Sequence, residues 1–116
     1  MLVITQFGKA IRKARIDAAV SLASMASELG TTSSFLSALE MGRKKIPSEW
    51  PKKIESYFHS KGVKVELEPL AYLANKTVPI DGLSPAQQLL VASVARADLD
   101  EEQVAQLAAI FDSRMR

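Results

Sequence analysis

Apolar positions in the first half of the chain recur at helical spacing. Phe7, Ile11, Ala14 and Ala18 form one stripe, with Lys9, Arg12, Lys13 and Arg15 mostly on other faces, which predicts an amphipathic helix over residues 6–17. Ser21 has the character of an N-cap, and Leu22, Met25, Ala26 and Leu29 line one face of a second helix that Gly30 ends. Thr32 caps a short third helix buried through Leu36 and Leu39. Gly42 closes it, and the basic run Arg43-Lys44-Lys45 follows. Pro47 and Ser48 punctuate the chain before a fourth helix carrying Trp50, Ile54, Tyr57 and Phe58. Pro51 falls in its first turn, where a missing N–H leaves no bond unmade.

Beyond Gly62 the texture changes. Val63-Lys64-Val65-Glu66-Leu67 is the one alternating, strand-like stretch, and it is short. Residues 67–75 fit a helix with Pro69 in the first turn, packing Leu70, Ala71 and Ala74. Asp81-Gly82 is a turn signal, and Ser84-Pro85 starts a helix through Leu89, Leu90, Val94 and Ala97. Asp100 caps the last helix, Glu101 and Glu102 suit its dipole, and Val104, Leu107, Ala108 and Phe111 form its apolar face. These elements predict an all-α protein with a first domain over residues 1–62 and a helical extension over residues 63–116.

Composition agrees and removes several chemistries. Sixteen alanines stand against five glycines and five prolines, as helices require, and 116 residues suffice to bury a core. Without cysteine there is no disulfide, thiolate nucleophile or Cys-type zinc site. The single histidine, His59, reads as a helix-end residue near terminal carbonyls and argues against an imidazole relay or a histidine metal site. Ser21, Ser33 and Ser37 have no histidine or lysine partner for nucleophilic catalysis. The acids Asp98, Asp100, Glu101 and Glu102 read as a solvated helix start. No glycine-rich phosphate loop or nucleotide signature occurs. No catalytic residue, metal or cofactor is expected, and an enzyme is disfavoured. The longest apolar runs, Met1-Leu2-Val3-Ile4 and Leu89-Leu90-Val91-Ala92, are too short to cross a membrane or serve as a secretory signal, so a cytoplasmic location is expected.

Charge separates the two halves. Residues 1–64 carry eleven Lys/Arg against five Asp/Glu, a net +6, whereas residues 65–116 carry four against eight, a net −4. Such asymmetry suggests a polyanionic partner for the first half, although lysines on helix exteriors that simply keep a protein soluble give the same balance. The basic loop Arg43-Lys44-Lys45, Ser21 and Thr32 with their helix N-termini, are candidate phosphate contacts.

Two short helices joined by a tight glycine turn, the second about two turns long, make a helix-turn-helix pattern. The stretch FGKAIRKARIDAAVSLASMASELGTTSSFLSALEMGRKKIPSEW resembles the DNA-binding domain of the Cro/CI (Xre) family of bacterial and phage regulators. The most specific part is the spacing Leu22, Met25-Ala26, Leu29-Gly30, Leu36, Leu39-Glu40 and Gly42, followed by basic residues and Pro47. The resemblance covers about half the chain. It implies a lambda-repressor-like domain of four to five helices whose third helix enters the major groove. Base contacts would come from Ser33, Ser34 and Ala38, with Ser37 near them, where many relatives place Gln, Asn or Arg. Leu22 stands at a DNA-facing position where relatives frequently carry a glutamine bonded to the backbone, so one such contact is expected to be missing. Ala26 matches a position that must be small so that the second and third helices cross closely. Arg15 and Glu40 match positions that often form an ion pair, one that would hold orientation more than add stability, since exposed pairs contribute on the order of 0–1 kcal/mol.

The second half, LANKTVPIDGLSPAQQLLVASVAR in particular, is similar to tails of small Xre proteins of phages, plasmids and other mobile elements. Its apolar faces, Leu89, Leu90 and Val94 on one helix and Val104, Leu107 and Phe111 on the next, are expected to pair two copies. The implied protein is a homodimeric, nucleoid-associated (auto)repressor binding an inverted-repeat operator, with double-stranded DNA as partner and no membrane. The alternative is an antitoxin whose acidic C-terminal region binds a protein partner.

Overall fold

The computed structural model describes residues 4–114 of the chain, so of the opening apolar run only Ile4 falls within the described residues. The protein is all-α, with seven helices and no strand among the described residues: α1 (Gln6–Ala18), α2 (Leu22–Glu28), α3 (Ser33–Glu40), α4 (Trp50–Ser60), α5 (Glu68–Asn75), α6 (Pro85–Arg96) and α7 (Glu101–Arg114). The alternating segment 63–67 is a connection. Its odd positions turn inward, Val63 and Val65 half-buried and Leu67 buried, but no second extended segment pairs with it, so no ladder forms.

Helix starts are set by side chains close in sequence. The hydroxyls of Thr5, Ser21, Thr32 and Ser84 each accept the backbone N–H three residues on, at 3.0–3.1 Å. At α7, Asp100 accepts from the Gln103 N–H at 2.8 Å while Gln103 accepts from the Asp100 N–H at 3.1 Å, a reciprocal box that satisfies two otherwise orphan donors. Gly30 and Gly42, at φ 71° and 70°, follow α2 and α3 in the left-handed region where a Cβ is unfavourable. Ala19 takes the same conformation after α1, at φ 55°.

The chain divides into two compact units, Met1–Val78 and Pro79–Arg116. In the first, α1 packs against α3, α4 and α5, and α2 against α3. Phe7, Ile11 and Ala14 of α1 meet Met25 and Ala26 of α2, Leu36 and Leu39 of α3, and Ile54, Tyr57 and Phe58 of α4 in one core. Leu67 and Ala71 belong to the same core, and the Glu55 carboxylate of α4 accepts the N–H groups of Leu67 and Glu68 at the start of α5. The break expected after residue 62 therefore marks only a turn, with Gly62 at φ 81°, and α5 belongs to the first unit. In the second unit no residue of α6 is fully buried, and only Gln88 and Val91 are half-buried. No helix among the described residues is long and apolar enough to cross a membrane.

Candidate functional site

The outer face of α3 is the most distinctive surface of the first unit. Leu36 and Leu39 point inward, which turns Ser33 and Ser34 to solvent and leaves Ser37 and Ala38 at the margin. Ala26 beneath is buried and small, and the Thr31 N–H bonds its carbonyl at 2.9 Å, so α2 and α3 meet closely at the Gly30 turn. Leu22, Ser33, Ser34, Ser37, Ala38 and Arg43 together line an open hollow of about 580 Å³. Six of the ten residues expected to contact a ligand thus share one surface. Ser21 and Thr32 sit at the N-termini of α2 and α3, where each oxygen caps its helix and each hydroxyl proton remains available to an acceptor.

The basic loop adjoins this hollow. Arg43 donates from Nη2 to the Ser37 hydroxyl at 3.3 Å, which holds the guanidinium beside α3. Lys44 and Lys45 are exposed and make no ion pair among the described residues. Lys44 Nζ lies 5.4 Å from the centroid of the Phe35 ring; that ring tilts against Trp50 at 4.9 Å, and Lys53 Nζ lies 4.6 Å from the Trp50 ring. Rings of this kind attract a cation by about 0.5–1 kcal/mol at exposed sites, enough to bias an ammonium and too little to sequester it from an anion.

Glu40 fixes the far end of α3. Arg15 Nη2 donates to both of its carboxylate oxygens, at 3.1 and 3.3 Å, as expected of that pair, and Arg12 Nε adds a bond at 3.2 Å. The Glu40 side chain is only 2% exposed and that of Arg15 17%, so this is an interior ion pair rather than a solvated one. The Glu40 carbonyl also accepts from the Thr5 N–H and hydroxyl, at 3.2 and 3.0 Å. Gly8 lies against the same carbonyl so closely that a Cβ there would collide with it. The family resemblance implied Arg15 and Glu40; Arg12, Thr5 and Gly8 show only in the packed structure.

Two further clamps were not visible in the sequence. Asn75, the last residue of α5, accepts the Ile46 N–H through Oδ1 at 2.8 Å and donates from Nδ2 to the Ile46 carbonyl at 2.9 Å, tying α5 to the exit of the basic loop. Lys61 pairs with Glu28 at 3.0 Å, and the Tyr57 hydroxyl donates to the same carboxylate at 3.4 Å, joining α4 to α2. The hydrogen bond and then the charge of Glu28 raise the Lys61 pKa, while burial and then the Glu28 charge raise that of Tyr57.

In the second unit, Leu89, Leu90, Val94, Val104 and Phe111 are exposed and Leu107 is half-buried. These residues present uncovered apolar faces on α6 and α7. Comparison with protein-family models, with curated proteins and with solved structures gives no significant match in any of the three.

Proposed function

We propose that the chain is a Cro/CI-type helix-turn-helix regulator that binds double-stranded DNA sequence-specifically, as a homodimer on an inverted-repeat operator, and represses transcription. The observation that carries this reading is the shared surface of Leu22, Ser33, Ser34, Ser37, Ala38 and Arg43, flanked by two capped helix N-termini and by Lys44 and Lys45, which are exposed and make no ion pair among the described residues. Short hydroxyls can donate to or accept from base edges, and the Ala38 methyl suits a thymine methyl. Serine reads bases weakly, so sequence-dependent duplex shape contributes to the choice of operator. Capped N-termini and a basic loop supply contacts to phosphates on either side of the inserted helix. The exposed apolar faces of α6 and α7 support a dimer, and a dimer sets two recognition helices about one duplex turn apart. On this reading the protein works at the nucleoid in the cytoplasm and performs no catalysis.

The acidic balance of residues 65–116, combined with those uncovered faces, also favours a second reading in which the extension holds a basic protein partner, as an antitoxin does. DNA selection with the purified chain, followed by titration at several salt concentrations, tests the proposal. Binding should weaken steeply with salt, and replacing Lys44 and Lys45 together by alanine should lower affinity for every duplex and flatten the log–log salt slope by about two. Changes at Ser33, Ser34 and Ala38 should instead alter which duplex is preferred. Unchanged preference across all three would remove α3 as the reading element.

A further inference from the structure

We infer that Asn75 is a positioning residue for the basic loop, so that α5 belongs to the DNA-binding apparatus and not to the extension that follows it. The inference rests on the DNA-binding reading above and extends it to a residue outside the helix-turn-helix.

The loop is pinned at both ends. At its entry, the N–H groups of Met41, Gly42 and Arg43 bond back to the carbonyls of Ser37, Leu39 and Ala38, continuing the last turn of α3. At its exit, Ile46 inserts its side chain into the core, 3% exposed, and gives both its backbone polar groups to the Asn75 side chain. Lys44 and Lys45 span the gap between these anchors. A primary amide meets both demands because it carries an acceptor and a donor on one rigid plane, at the spacing of a peptide group. Aspartate would still accept from the N–H but would face the Ile46 carbonyl with a second oxygen; alanine would leave a buried N–H and carbonyl without partners. Loss of the clamp frees the loop exit while leaving the α3 surface and its caps intact. The cations then lose their fixed placement against the phosphates, and the effect on binding should resemble removing the lysines themselves.

The test is a double-mutant cycle in the full-length chain, with N75A, the K44A/K45A pair and their combination titrated against the selected duplex and a scrambled one across a salt series. N75A is expected to weaken binding to both duplexes by the same factor and to flatten the salt slope by about one to two. Added to K44A/K45A it is expected to cost little more, because both changes remove the same contacts. Amide hydrogen exchange should quicken at Ile46 and remain unchanged along α3. Should N75A melt below the assay temperature, the uncharged N75S, which is too short to hold both Ile46 groups, carries the same cycle. Wild-type binding with an unaltered salt slope in the Asn75 variants, or costs that add in full to those of K44A/K45A, overturns the positioning role alone. Absence of salt-dependent duplex binding by the wild type overturns the DNA-binding reading, and the role of Asn75 with it.

Discussion

Replacing Glu40 by alanine should destabilise the first unit far more than a surface ion pair would. An exposed pair contributes on the order of 0–1 kcal/mol, because water solvates both partners once the pair is broken. Here Glu40 is interior, and Arg15, with a side chain 17% exposed, cannot reach bulk water without leaving its packed position. Removing one partner of such a pair strands the other charge and costs about 3–5 kcal/mol. Arg12 is half exposed and rehydrates readily, which places the expected loss near the lower end, about 3 kcal/mol. For a unit of this size each kcal/mol lowers Tm by about 4–8 °C, so the melting point should fall by roughly 12–24 °C. Glu40→Gln keeps an acceptor for Arg15 but removes the charge, and should cost about half as much. Urea unfolding followed by circular dichroism and by Trp50 fluorescence gives these differences directly, and the Arg15→Ala/Glu40→Ala cycle isolates the pair. A coupling energy of about 2 kcal/mol is expected for Arg15 and well under 1 kcal/mol for Arg12. A Glu40→Ala cost below about 1 kcal/mol together with a vanishing Arg15 coupling would mean that the pair is solvated and that burial does not strengthen it.

Two other predictions concern the same unit. Gly8→Ala would ordinarily strengthen a helix by about 1 kcal/mol, yet here the new Cβ meets the Glu40 carbonyl, so a net loss of about 1–3 kcal/mol is expected in the same urea assay; a gain would refute the close approach of α1 to α3. Raised pKa values at Tyr57 and Lys61 mean that the folded state retains protons which the unfolded chain releases. Their stabilisation is complete below the ordinary values of 10.0 and 10.5 and is lost as pH rises through the folded ones. Thermal melts should therefore fall more steeply above about pH 10 for the wild type than for Glu28→Gln, and parallel curves would refute the Glu28 linkage.

Features that act over a few residues were legible in the sequence. Ser21, Thr32, Ser84 and Asp100 cap helices as read, because a cap bonds a backbone N–H only three positions away. Gly30 and Gly42 take the left-handed conformation that their places after the apolar stripes imply. What the sequence withheld is long-range. Asn75 at the end of α5 looks like any polar helix-end residue until folding brings Ile46, 29 positions earlier, against it. Arg12 reads as a solvated cation until Glu40 is seen beneath it. The boundary was misread for the same reason. The change of texture at Gly62 is real, but Leu67 and Ala71 declare only that they are apolar, and not which core they enter.

The second unit makes the complementary point. α6 has 12 residues and α7 has 14, lengths at which an isolated helix is marginal in water even with favourable composition. Ser84 and Asp100 supply caps worth about 1 kcal/mol each, which starts the helices without covering anything. Burying a Leu, Val or Phe side chain contributes about 1.5–3 kcal/mol, and five of the apolar residues on these helices, Leu89, Leu90, Val94, Val104 and Phe111, remain largely in solvent. The stabilisation still open to this unit therefore lies on its surface, whereas that of the first unit is already spent in its core. The second unit therefore has the most to gain from whatever covers those faces. Under the proposed function that cover is a second copy, and the pairing that completes the extension is the same event that brings two recognition helices to one operator.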